Sequence, residues 1–279
     1  MAESIVTTSW PSTYGEEAQP RVGFFTDTSI CIGCKACEVA CKEWNDVPED
    51  GLVHRGMSMD NTGGLGADTW RHVAFVEQRR PLDLVEEADR VDEMRWLMSS
   101  DVCKHCTNAP CLDVCPTGAL FRTEFGTVVV QEDVCNGCGY CVPACPFGVL
   151  DKREEDGRVW KCTLCYDRLK ADQEPACAKA CPTNSIQFGP LDELRATARD
   201  RVEALHAAGE DSAQLYLADE ENGMGGAGAF FLLLDEPEVY GLPPDPVAVT
   251  RDLPATWRAT VIAGAALLAG VAAAMVGRE

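Results

Sequence analysis

Hydrophobic and polar positions divide the chain into a polar lead, a long middle of short apolar runs, and an apolar end. Residues 1–22 are polar, contain two prolines, and read as an arm lying on another surface. Gly23-Phe24-Phe25-Thr26-Asp27 is strand-like, as is Trp70-Arg71-His72-Val73-Ala74-Phe75-Val76, where side-chain polarity alternates. Thr127 to Val130, Arg158 to Trp160, Ser185 to Phe188 and Phe230 to Leu234 are further strand candidates. Leu191, Leu194, Ala198, Val202 and Leu205 recur at helical spacing behind Pro190, which predicts a helix over 190–208. Asn61 to Gly66 is a glycine-rich turn region, and 209–255 is turn-rich around its one strand. Mixed short strands and helices make the class α+β.

The end differs in kind. Ala259 to Gly277 is a run of 19 residues without a charge, about 28 Å long as a helix and close to one hydrocarbon core. Trp257 stands where an interfacial aromatic belongs, and Arg258 and Arg278 bracket the run. Ala266, Gly270 and Ala274 share a face suited to close packing against another membrane helix. A membrane anchor over 256–279 is therefore expected, with an alanine-rich core helix as the competing reading.

Composition narrows the function. The 279 residues carry 45 acidic and 24 basic side chains, a net charge of −21. That sign repels phosphate backbones, so sequence-independent nucleic-acid binding is excluded. The first residues show no basic start, apolar stretch or paired arginines, so no export signal is expected in this chain itself.

The chemistry lies in 16 cysteines, all between Cys31 and Cys181, in four groups of four. Cys31, Cys34, Cys37 and Cys41 match Cys135, Cys138, Cys141 and Cys145 in spacing. Cys103, Cys106, Cys111 and Cys115 have a longer second gap, and Cys162, Cys165, Cys177 and Cys181 a longer one still. Cys-x2-Cys-x2-Cys-x3-Cys-Pro is the bacterial ferredoxin run, whose fourth cysteine ligates the neighbouring [4Fe–4S] cluster in two-cluster proteins. Three of the groups end in Cys-Pro (Pro116, Pro146, Pro182), the first in Cys41-Lys42. Gly33, Gly137 and Gly139 keep side chains away where backbone wraps a cluster. Structural zinc uses separated cysteine pairs, and a disulfide framework suits a small secreted domain; neither matches four such runs.

Thr26-Asp27-Thr28-Ser29-Ile30-Cys31-Ile32-Gly33-Cys34-Lys35-Ala36-Cys37, continuing to Cys41-Lys42-Glu43-Trp44-Asn45-Asp46, resembles the iron–sulfur (beta) subunits of membrane-bound formate dehydrogenases. Lys161-Cys162-Thr163-Leu164-Cys165-Tyr166-Asp167-Arg168, Gln173-Glu174-Pro175-Ala176-Cys177, Cys181-Pro182-Thr183 and Cys135-Asn136-Gly137-Cys138-Gly139-Tyr140-Cys141 are similar to the same family. The likeness covers roughly residues 23–276. It implies two interlocked ferredoxin-like modules over 23–188, with an insertion over about 42–102, an extension over 189–255 and the anchor. It also implies four [4Fe–4S] clusters: one on Cys31, Cys34, Cys37 and Cys181, and its neighbour on Cys41, Cys162, Cys165 and Cys177. The third would use Cys103, Cys106, Cys111 and Cys145, and the fourth Cys115, Cys135, Cys138 and Cys141. In that family the chain does no bond chemistry. It relays electrons from a molybdopterin catalytic (alpha) subunit oxidising formate to a membrane cytochrome b or other quinone-reactive (gamma) subunit. The Cys31 cluster lies nearest the catalytic subunit and the Cys115 cluster nearest the bilayer. The resemblance places the clusters on the extracytoplasmic face, the chain travelling with a signal-bearing partner. The equivalent subunit of a membrane hydrogenase or sulfur-compound reductase, and a freestanding polyferredoxin, are the alternatives.

Other signals weigh less. Gly223-Met224-Gly225-Gly226-Ala227-Gly228 spells a dinucleotide fingerprint but lacks the strand before and the helix after, so a flexible turn is expected. His54, His72, His105 and His206 are scattered, although His105 lies between two cysteines and could hydrogen-bond near a sulfur. Lys104 and Lys161 flank cysteines, where each either raises a cluster potential or is simply solvated. Trp70, Trp96 and Trp160 read as core or subunit contacts.

Overall fold

The computed structural model describes residues 20–51, 54, 56, 59–60, 62–79 and 94–276. The arm up to residue 19, Asn61, and the last residues of the anchor with Arg278 lie outside the described residues. In chain order the elements are β1 (Val22–Asp27), α1 (Ala36–Trp44), β2 (Arg71–Arg79), β3 (Met94–Val102) and α2 (Pro110–Asp113). Then come β4 (Leu120–Arg122), β5 (Val128–Val130), α3 (Cys141–Ala144), β6 (Asp151–Lys152), β7 (Val159–Trp160), α4 (Tyr166–Lys170) and α5 (Ala176–Lys179). The rest are β8 (Ile186–Pro190), α6 (Leu191–Ala207), β9 (Gln214–Tyr216), β10 (Ala229–Leu233) and α7 (Leu253–Val276).

The main sheet runs β8-β1-β10-β9, with β1 and β10 parallel and the outer pairs antiparallel. Phe24 and Phe25 point to opposite faces and are both fully buried, as is all of β10, so the central pair is covered on both sides. Phe25 stacks on Phe230 at 5.3 Å between ring centroids. Gly23 is required: a Cβ there would lie 2.0 Å from the Gly228 carbonyl oxygen. The apolar stripe of α6 buries Leu191, Leu194 and Ala198 against this sheet, as its spacing predicts. Arg201 on the same helix pairs with the buried Asp27 at 3.0 Å, fixing the end of β1 where the first cysteine loop begins.

The residues between Cys41 and Cys103 fold around a long hairpin, β2 against β3, in register from Arg71↔Val102 to Arg79↔Met94. Val73 and Val102 are buried on the face they share with Arg71 and Ser100, and Val73 and Ser100 line the cavity of the first cysteine loop. Two smaller hairpins, β4–β5 and β6–β7, carry the loops of the second and third groups.

The glycine run is not a flexible turn. Its backbone is laddered onto the second cysteine loop: Thr107 N–H donates to Gly226 O and Asn108 N–H to Met224 O. Gly228 and Ala229 N–H donate in turn to His105 O and Lys104 O. A Cβ at Gly228 would come 3.1 Å from His105 Cβ, so glycine is specified by the closeness of two backbones.

Helix α7 begins at Leu253, ahead of the uncharged run, because Trp257 and Arg258 are helix-compatible and Thr250 O accepts from Leu253 N–H. It is long and apolar enough to cross a membrane, with a mean hydropathy of 1.7 over Leu253–Met275 and no part of it buried. Among the described residues nothing packs over α7, which speaks against the core-helix reading. Its root is tied down by Thr250, whose hydroxyl donates to Asp113 at 2.6 Å.

Candidate cluster-binding sites

The first Cys-x-x-Cys turn of each group places its third residue in the left-handed region: Gly33 at φ 64°, His105 at 44°, Gly137 at 72° and Leu164 at 57°. Alternating handedness turns successive N–H groups toward the inside of the turn, a concavity suited to an anionic cluster. Two of the four positions are glycine; His105 and Leu164 are held against strain by complete burial.

None of the sixteen cysteines is in a disulfide. Cys31, Cys34 and Cys37 line one cavity together with the distant Cys181. Cys103, Cys106, Cys111 and Cys145 line another. Burial pushes the Cys41 thiol far up, and the nearby Cys162, Cys177 and Cys165 push it further. Burial raises Cys141 to about 11, and Cys115, Cys135 and Cys138 add to it.

The donor chemistry fits iron–sulfur cubes. Burial raises Cys37 and Cys165 to about 11 and Cys106 to about 12, so these thiols release protons only to a strongly cationic partner. Cys115 is the exception: burial would raise it, but N–H groups of Leu120, Thr117 and Ala119 and the Thr117 hydroxyl outweigh that and lower it. An orphaned buried donor supports the fit. His105 accepts the Val128 N–H on Nδ1 at 3.1 Å, leaving its proton on Nε2, which is buried without a partner. His105 itself lines the cavity of the third thiol set, where a cluster sulfur would accept that proton's hydrogen bond. Burial holds this imidazole well below its ordinary pKa, with Lys161, Arg122 and Arg21 adding to the effect.

The motif residues around the second set meet one another. Asn45 Nδ2 lies 3.8 Å from both Cys41 Sγ and Cys165 Sγ. Trp44 Nε1 donates to Asp167 at 2.8 Å, and the Arg168 guanidinium stacks over the Trp44 ring at 4.1 Å. Arg168 also donates to Glu174 O at 2.6 Å. Three short motifs from separate parts of the chain thus close one loop cluster. Lys104 and Lys161 are fully buried, which removes the solvated reading. Lys104 pairs with Asp101, whereas Lys161 is held by the carbonyls of Val128 and Cys162. Trp70 is buried and stacks on Trp160 at 6.3 Å, while Trp96 is partly exposed at the Phe75 edge. His54 is exposed, and His206 caps a carbonyl of the α6–β9 turn.

Some contacts were not anticipated. Thr117 and Thr183 each place a hydroxyl near the cysteine two residues before, at 3.6 and 3.8 Å. The repeated Cys-Pro-Thr in groups two and four was the available signal. Arg71 and Ser100, from the hairpin, reach Cys177 and Cys37 at 3.3 and 3.2 Å, and nothing in the spacing announces them.

Loops, thiol sets and hairpins define a ferredoxin-type electron-transfer protein that holds multiple [4Fe–4S] clusters. Two models of the 4Fe-4S dicluster domain match, over residues 30–119 and 94–191. The protein is 42% identical over 240 residues to the formate dehydrogenase iron-sulfur subunit of Haemophilus influenzae, covering 85% of this sequence and 73% of that one. It is 39% identical, with 85% and 75% covered, to the formate dehydrogenase-O iron-sulfur subunit of Escherichia coli. The B subunit of the anaerobic dimethyl sulfoxide reductase of Escherichia coli is 37% identical over 180 residues, 63% of this sequence and 76% of that one. The protein belongs to the iron–sulfur subunits of formate dehydrogenases.

Proposed function

We propose that this subunit carries four [4Fe–4S] clusters and relays electrons from a molybdopterin catalytic subunit oxidising formate to a quinone-reactive membrane subunit such as a cytochrome b. The first cluster is held by Cys31, Cys34, Cys37 and Cys181, and the second by Cys41, Cys162, Cys165 and Cys177. Cys103, Cys106, Cys111 and Cys145 hold the third, and Cys115, Cys135, Cys138 and Cys141 the fourth. Groups one and four interlock, as do groups two and three, giving two modules within 23–188, one nested in the other. The observation that carries the assignment is that Cys181 lines the cavity of Cys31, Cys34 and Cys37, whereas Cys177, four residues before it, does not.

When bound, the clusters supply one-electron carriers. The chain's own residues wrap them in N–H groups, exclude water behind Phe24, Leu164 and Val128, and set buried cations beside their thiolates. Helix α7 anchors the subunit, and its root beside α2 favours the fourth cluster as the one nearest the bilayer. The clusters face the extracytoplasmic side, as in respiratory formate oxidation.

The purified complex should hold about 16 iron and 16 acid-labile sulfide in this subunit. Cys181→Ser should damage the cluster of Cys31, Cys34 and Cys37 first, leaving that of Cys162 and Cys165 assembled. Electron paramagnetic resonance of the variant reads the order of loss, and the reverse order overturns the pairing. The dimethyl sulfoxide reductase B subunit shares the fold signal, so formate dependence of reduction within the native complex separates the two substrates.

A further inference from the structure

Arg71 opens β2 and is buried at the meeting of the first two thiol sets, with 2% of its surface exposed. Its Nη2 donates to Cys177 Sγ at 3.3 Å. Its Nη1 donates to Ser100 O at 3.0 Å and to Ser100 Oγ at 3.3 Å. Ser100 Oγ in turn lies 3.2 Å from Cys37 Sγ. The guanidinium carbon sits 4.8 Å over the Phe24 ring. Among the described residues no carboxylate pairs with it, and its Nε–H is buried without an acceptor. Other buried cations here are satisfied differently: Lys104 has Asp101, and Lys161 has two carbonyls.

A buried guanidinium cannot shed its charge, and it is tolerated only beside an anion. The anions within reach are the sulfurs of Cys177 and, through Ser100, of Cys37. Those cysteines belong to different sets. Once Cys37 is a thiolate it only accepts, so the Ser100 hydroxyl donates to it, and Arg71 donates to Ser100. One cation is thereby wired to both sets, directly on one side and through a hydroxyl on the other.

We propose that Arg71 is the shared counter-charge of the first two clusters, favouring the reduced state of each and so raising the potentials of that pair together. The inference rests on the ligand assignment above. In each transfer one electron leaves one cluster, whose total charge with its thiolates goes from about −3 to about −2, and enters the other, which makes the opposite change. No bond forms or breaks, and no proton moves, because the guanidinium stays charged. The charge spared at one cluster reappears at the other, and Arg71 faces it in both states.

The test is a potentiometric titration of the intact complex, followed by electron paramagnetic resonance, in Arg71→Met, Arg71→Lys and Ser100→Ala variants. Cys181→Ser first identifies which signal is the first cluster's, and iron content verifies that all four remain. Arg71→Met should disfavour reduction of the first two clusters at least tenfold each, about 59 mV for one electron, with smaller shifts in the others. Arg71→Lys should restore more than half of that. Ser100→Ala should lower the first cluster's potential alone. Unchanged potentials in an Arg71→Met complex with full iron overturn the proposal and leave Arg71 a strut between hairpin and core. If Arg71→Met does not assemble, Ser100→Ala decides: a fall confined to the first cluster supports the bridge, and no shift refutes it. If Arg71→Met moves only one of the two signals, the shared role falls; if Cys181→Ser damages neither signal that Arg71→Met moves, the ligand assignment falls instead.

Discussion

Replacing Gly137 by alanine separates two reasons for glycine in a cysteine turn. At φ 72° an L side chain costs about 1–2 kcal/mol. The added Cβ would also stand 2.3 Å from the Gly157 carbonyl oxygen. That is backbone in the β6–β7 turn, which no rotamer change moves aside, and overpacking of this kind adds about 1–3 kcal/mol. Gly139, two residues on, has the same strain at φ 78°, but its Cβ would meet only Lys152 Cδ at 3.5 Å, an ordinary contact. Gly139→Ala therefore carries the first cost alone. The two variants differ by about 1–3 kcal/mol, or roughly 5- to 150-fold in the opening equilibrium of the loop. Iron release to excess chelator from the Cys135-containing site reads that equilibrium when reclosing outpaces capture. The expected order of rates is Gly137→Ala, then Gly139→Ala, then wild type. Equal rates for the two variants would refute the clash, and wild-type rates for both would refute the backbone reasoning.

Asp60 ties the hairpin insertion to the first cysteine loop, pairing with Lys35 at 3.1 Å and His72 at 2.7 Å. Burial alone would raise its carboxyl, but hydrogen bonds from His72 and Thr62 outweigh that and hold it well below the usual carboxylate range. Its stabilisation is complete above about pH 4 and is lost as pH falls below that toward the depressed folded value. Asp60→Asn should lose about 1.5–3 kcal/mol at pH 7. Its denaturant midpoint should converge on that of the wild type below about pH 4, and a constant gap at all pH values refutes the pairing. Truncation after Pro254 removes a helix over which nothing packs among the described residues, so clusters should still assemble while the subunit no longer sediments with membranes. Cluster loss in that variant, with its partners present, would make α7 part of the fold.

Much of the fold was written in short patterns. The stripe of Leu191, Leu194 and Ala198 is a helix face, and the apolar run at Phe230 is the most buried strand. What could not be read is pairing at a distance. Nothing local sets β1 parallel to β10, or joins Cys181 to Cys31, because those contacts depend on where the intervening chain returns. Strand β3 is hidden in the sequence because Ser99, Ser100 and Asp101 look like a loop; Ser100 and Asp101 serve neighbouring backbone, Arg71, Cys37 and Lys104 instead of water, and the Ser99 hydroxyl is buried without a partner among the described residues. The glycine run misled in the other direction, its small residues being needed for contact with the loop of Cys103 and Cys106 rather than for freedom. Cysteine identity was legible from spacing, whereas the residues that reach the sulfurs from outside the motifs were not.

The parallel pairing of β1 with β10 has a consequence for biosynthesis. The first strand leaves the ribosome about 200 residues before its partner, roughly 10–40 s earlier at ordinary rates of synthesis. For most of that interval the nascent chain carries Cys31, Cys34 and Cys37 without Cys181, and for all of it without β10 beside β1. Under the proposed ligand assignment, loading of that site waits for Cys181, and oxidation of its thiols meanwhile must be held off. When β10 docks, the turn-rich segment and the apolar helix α7 have yet to emerge. The first site to be translated is thus among the last to be finished, and its completion falls just before the apolar helix presents itself to a membrane.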